Sequence, residues 1–214
     1  MSFDQQADNR MTIRPLLIFF ILLLVGLASG CSRGSTFPQH RQMAALPGER
    51  TCRVAVLPFV NESDYLLADA LFGKVFVAQL RRSGDHLVSQ DGDIFRIYRQ
   101  LRMLPGQSPN LEQYQIIADW LNVDMLITGT VLVMREARGD HGSVNPVIVT
   151  ETEIRDGRSG EVLWTVFHSR QGTDYTKTMH FGTIHTVTGL SRQMAEEIIN
   201  LWFEKGLSQC TASF

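Results

Sequence analysis

The chain has 214 residues, 20 Lys and Arg against 22 Asp and Glu, a formal net charge of −2, and 44% hydrophobic residues. This balance excludes the basic footprint of a nucleic-acid binder, and no polybasic run marks an anionic lipid surface. The length suits one domain with a substantial core.

The first feature along the chain is an apolar run from Leu16 to Ala28, preceded by Arg14 and followed by Ser29 and Gly30. It is shorter than the roughly 20 apolar residues of a spanning helix, and its charged start and small-residue exit match a secretory signal. Translation begins at Met1 or Met11, since residues 1–10 read as neither signal nor domain. The stretch Leu27-Ala28-Ser29-Gly30-Cys31 resembles the bacterial lipobox, although Ala28 stands where leucine is usual. The resemblance implies that residues 1–30 are removed and that the Cys31 thiol carries a diacylglycerol, with acylation of the new N-terminus. These acyl groups are the only attached groups expected. Each buried methylene contributes about 0.8 kcal/mol, so two or three chains anchor stably. Ser32, in place of aspartate, implies transfer to the outer membrane. The other reading is a plain signal or a short anchor helix with an incidental cysteine.

Residues 31–50, rich in Ser, Gly, Pro, Gln and Arg, read as a lipidated tether, and residues 51–214 as a single α/β domain. Cys52 and Cys210 flank that domain. In an oxidising compartment they either pair, closing nearly the whole domain into one loop at about 4–5 kcal/mol from chain entropy, or stand as unrelated thiols.

Within the domain, 53–60 (RVAVLPFV) is a near-continuous apolar strand of the kind buried on both faces. Ser63 or Asp64 is expected to cap a helix over about 65–82. That helix carries two stripes, one of Leu67, Leu71, Val75 and Ala78 and one of Phe72, Phe76 and Leu80, which implies cover on more than one side. A short strand near 86–89 and a helix over 91–102 follow; LPGQSPN breaks the latter, and a further helix spans 111–121. Strands are expected at 123–134, 147–155 and 162–169, with a polar loop at 135–146 and a DGRSGE turn. After 171–186 a last helix spans about 188–205, stopped by Gly206. The order β-α-β-α-α-β-β-β-α predicts a mixed sheet packed with helices.

Candidate chemistry is sparse. No phosphate-cradling glycine loop is present. His168, His180 and His185 match no common metal-ligand spacing, so no metal is expected. Asp174, His185 and Ser191 can be written as a triad, but no nucleophile elbow accompanies them. Glu151, Glu153 and Arg155 alternate with Ile148, Thr150, Thr152 and Ile154, so period two puts the charges on one face. That face is either simply solvated or, in a ring of subunits, a charged lumen that steers a cationic polymer. On the last helix Met194, Ile198, Leu201 and Trp202 have core spacing, while Trp202 or Phe203 could instead meet lipid headgroups.

Three segments, VAVLPFVNES, IIADWLNVDMLITGTV and IRDGRSGEVLWTV with its Asp156, Gly160, Glu161 and Trp164 pattern, together resemble the anticodon-binding-domain-like periplasmic fold. That fold occurs in the N-terminal domain of TolB, the curli secretion lipoprotein CsgG, LpoB and PelC. The resemblance implies an accessory or assembly part rather than a catalyst: an outer-membrane lipoprotein facing the periplasm, oligomeric, contacting envelope export or assembly proteins. The chain has no room for the long pore-forming hairpins of CsgG. Its tether is about twenty residues, short for LpoB-like reach across peptidoglycan, so a PelC-like role in polysaccharide or protein export fits the lengths better. An LpoB-like activator of peptidoglycan synthesis is the alternative, and an envelope hydrolase a more distant one.

Overall fold

The structure, a computed structural model, describes residues 38–46, 52–84, 86–138, 142–177 and 181–207. All belong to the compact unit Thr36–Phe214. The signal, Cys31 and Cys210 lie outside the described residues.

The elements are β1 (Gln39–Gln42), β2 (Arg53–Val56), β3 (Val60–Asn61), α1 (Ala68–Ser83), β4 (Leu87–Val88), α2 (Asp91–Gln100), α3 (Leu111–Leu121), β5 (Met125–Arg138), β6 (Val144–Asp156), β7 (Val162–Gln171) and α4 (Val187–Glu204), with a 3-10 turn at Gly172–Tyr175. One mixed sheet has the order β1-β7-β6-β5-β2-β4, with β3 also on β5. The β2, β3 and β4 pairings are parallel, and those among β5, β6, β7 and β1 are antiparallel. The mixed α/β class and its helix-packed sheet agree with the sequence reading.

After the exposed Arg53, β2 is apolar at every position because it is buried on both faces. Val54 and Val56 join a core formed with α1 and α4, whereas Ala55 and Leu57 join one formed with α2 and α3. α1 contributes Phe72, Phe76 and Leu80 to the first core and α4 contributes Met194, Ile198 and Trp202. The outer α1 stripe is partly open: Leu71 and Val75 are half-buried, while Leu67 and Ala78 are exposed. β6 alternates as period two demands, with Ile148, Thr150, Thr152 and Ile154 buried under the α1–α4 layer and Glu151 exposed on the other side.

Three local expectations change. Gln39–Gln42 is not tether but an edge strand on β7, from Gln39↔Phe167 to Gln42↔Trp164, and the His40 ring packs edge-on to Trp164 at 4.9 Å. Its polar sequence has no apolar alternation to announce it. α1 begins at Ala68, preceded by Leu67 in the left-handed region at φ 61°, with no side-chain cap. Ser63 serves a turn instead: its N–H and Oγ donate to Asn61 Oδ1 at 2.9 and 2.7 Å, and Asn61 Nδ2 donates to the Tyr65 carbonyl at 2.9 Å. The polar segment 135–146 is largely strand, since β5 runs to Arg138 and β6 starts at Val144. Arg135, Glu136 and Arg138 are exposed there, so apolar alternation is lost.

Of the two readings of Trp202, the core one holds and the headgroup contact does not: the side chain is fully buried, with its ring 5.6 Å from that of Phe76. Its stripe faces the sheet and α1, so the core spacing prevails over the amphipathic reading. Phe203 is half-buried and stacked on His86 at 5.8 Å.

Candidate functional site

α2 and α3 cover only the β2 side of their face of the sheet. On the uncovered strands the register aligns Thr128, Glu153, Thr165 and Arg41 in one row, and Thr130, Glu151, Phe167 and Gln39 in the next. Where this open face meets the α2–α3 loop, a cleft of about 300 Å³ forms.

Sequence explains each wall. Pro58 has no N–H to donate to a ladder, and the parallel register stops at Val56↔Ile127 and resumes at Val60↔Thr130. Gly129 is therefore paired only on its β6 side, with Thr152. Phe59 turns the other way, into the core between Phe72 and Phe76, and its ring lies where a Gly129 Cβ would stand. The opposite wall is held by a capping box at α3. Asn110 Oδ1 accepts from the Gln113 N–H, and Gln113 Oε1 accepts from the Asn110 N–H, both at 2.9 Å.

The polar floor is one network. Arg155 donates to Glu153 Oε2 from Nε at 3.0 Å and Nη2 at 2.6 Å, and from Nη1 to the Gly160 carbonyl at 3.1 Å. Thr128 Oγ1 donates to the same Oε2 at 3.3 Å. The guanidinium lies 4.4 Å over the Tyr114 ring. Burial, then the nearby Glu153, raise the Tyr114 pKa against the opposing pull of Arg155 and a Thr128 hydrogen bond, so the phenol stays protonated. Glu153 Oε1 accepts no hydrogen bond among those described, and Glu151 has neither ion pair nor hydrogen bond among them. The two carboxylates that sequence singled out thus share one cleft, but only one of them is neutralised.

The remaining candidates are dispersed. His168 is buried and its Nε2 contacts Glu197 Oε2 at 2.7 Å, while His185 is exposed with Nδ1 3.0 Å from the Val144 carbonyl. His180 lies outside the described residues. Asp174 accepts from the Gln171 N–H at 2.9 Å, and Ser191 is fully buried without a side-chain hydrogen-bond partner among the described residues. Among the described hydrogen bonds none joins Asp174, His185 and Ser191. Cys52 is disulfide-bonded, and its N–H and that of Arg53 both donate to Asp124 Oδ2 at 3.0 Å.

Sequence reasoning missed Glu197, which organises the far end of the sheet. Its Oε2 accepts from Arg170 Nε at 2.9 Å as well as facing His168, and its Oε1 accepts from the Tyr175 hydroxyl at 2.8 Å. Burial alone would raise its pKa, but the hydrogen bonds from His168, Tyr175 and Arg170 outweigh burial and hold it at about 2. The one signal was a carboxylate at position 197, between Met194 and Ile198 on an otherwise core-spaced helix.

No family model matches the chain, and no curated protein matches it in sequence. Solved structures do share the fold. The PelC dodecamer from Paraburkholderia phytofirmans superposes with a TM-score of 0.51 at 17% identity, covering 76% of this chain and 94% of that one. Lipoprotein GNA1162 from Neisseria meningitidis gives 0.51 at 15% identity, covering 72% and 99%. The LpoB C-terminal domain from Salmonella enterica gives 0.44 at 12% identity, covering 56% and 83%. The described domain therefore shares the mixed α/β fold of PelC and GNA1162.

Proposed function

We propose that this chain is a non-catalytic lipoprotein of the bacterial envelope, anchored by acyl groups on Cys31 to the periplasmic face of the outer membrane. It forms a homo-oligomer and serves as an accessory or assembly part of an export system, acting through protein contact. The observation that carries this reading is the fold match to a dodecameric PelC over 76% of this chain, joined to a lipobox-like stretch upstream of the domain. The placement of the polar residues supports it. His168 and Arg170 are engaged with Glu197 and Arg155 with Glu153, while the open sheet face presents unneutralised polar surface.

Light scattering on the full chain extracted in mild detergent tests this reading. A single closed assembly of many copies is the expected result. A monomer at all concentrations would remove the ring and leave an activator acting one copy at a time.

A further inference from the structure

We propose that the cleft between β5, β6 and the start of α3 is a receptor for a lysine side chain presented by a partner protein. This deepens the contact role proposed above and rests on it for the partner being a protein.

The cleft has the two parts that a lysine needs. Its lining includes the apolar side chains of Pro58, Val60 and Leu111, which can take a four-methylene stem. The same lining carries the carboxylates of Glu151 and Glu153 and the hydroxyl-bearing Thr130. Glu153 is held in place by Arg155 and Thr128 through its Oε2, so its Oε1 is pre-positioned. The net charge of Glu151, Glu153 and Arg155 is −1, which one ammonium neutralises.

Two alternatives fit less well. A guanidinium is planar and bulkier than an ammonium, for a cleft of only about 300 Å³. An amino sugar would want an open aromatic face to stack on, yet the Tyr114 ring is already covered by Arg155 at 4.4 Å.

The test is an NMR titration of the isotope-labelled full chain in detergent with N-acetyl-lysine methylamide, its ε-acetylated analogue, and deacetylated chito-oligosaccharide. The proposal expects saturable shifts at the Thr128, Gly129 and Thr130 amides with the lysine probe. Removing the charge, in the ε-acetylated probe or in Glu151→Gln, should weaken binding at least about tenfold. Glu151 is exposed, so this variant leaves the fold intact. Equal binding of the charged and neutral probes, or no shifts in the cleft, would overturn the proposal. Tighter binding of the sugar at the same amides would overturn it in favour of a glycan site. Oligomeric mass and membrane attachment are read separately, so a failed titration with an intact assembly rejects only the lysine receptor.

Discussion

Glu197 is a side chain whose loss the structure makes costly. Its carboxylate faces His168 and Arg170 and accepts from the Tyr175 hydroxyl, tying β7 and the 3-10 turn to α4. His168 is fully buried and Arg170 keeps 11% exposure, so Glu197→Ala removes a carboxylate from polar groups that water barely reaches. Removing one partner of a buried pair costs about 3–5 kcal/mol. Because the carboxylate retains 19% exposure, the lower end, about 3 kcal/mol, is expected. Linkage gives a similar figure: a carboxyl held at about 2, against an ordinary 4.5, contributes on the order of 3 kcal/mol at neutral pH. The folded-state pKa is depressed, so this stability is fully present above 4.5 and is lost as pH falls towards 2. For a domain of this size, Glu197→Ala should lower Tm by about 6–12 °C at pH 7. Thermal melts of wild type and variant between pH 7 and pH 2.5 should show the gap narrowing only below 4.5. A gap under 2 °C at pH 7, or one that stays constant down to pH 2.5, would refute the reasoning.

Further outcomes follow from particular packings. Gly129→Ala should destabilise by about 3 kcal/mol in chemical denaturation, because its Cβ would lie 2.1 Å from a Phe59 ring wedged between Phe72 and Phe76. Trp202→Ala should cost about 3–5 kcal/mol with no change in liposome binding, whereas a headgroup contact would show the reverse. Reduction of the Cys52 disulfide should lower Tm, and peptide mapping should find Cys52 linked to Cys210; a link to another chain would contradict an intradomain closure.

What could be read from sequence follows a physical pattern. Elements that bury a periodic apolar face announced themselves. The unbroken β2 run meant two covered faces, and the alternation from Ile148 to Arg155 correctly separated the core side from the side bearing Glu151. β1 was illegible because an edge strand of Gln, His and Arg buries little and shows no alternation. The start of α1 was misplaced because Ser63, a good cap by composition, hydrogen-bonds within its own turn instead. The cleft was half legible. The paired carboxylates stood out, but their neighbours Pro58, Leu111 and Tyr114 come from segments that only the fold brings together. Glu197 was invisible for the same reason, since His168, Arg170 and Tyr175 lie 22–29 residues away along the chain.

The account depends above all on where the chain is held. Mass spectrometry of the N-terminal peptide from the membrane fraction tests this most directly. The account predicts a peptide that begins at Cys31, with a diacylglycerol on its sulfur and an acyl group on its amine. A chain that keeps residues upstream of an unmodified Cys31 would contradict it.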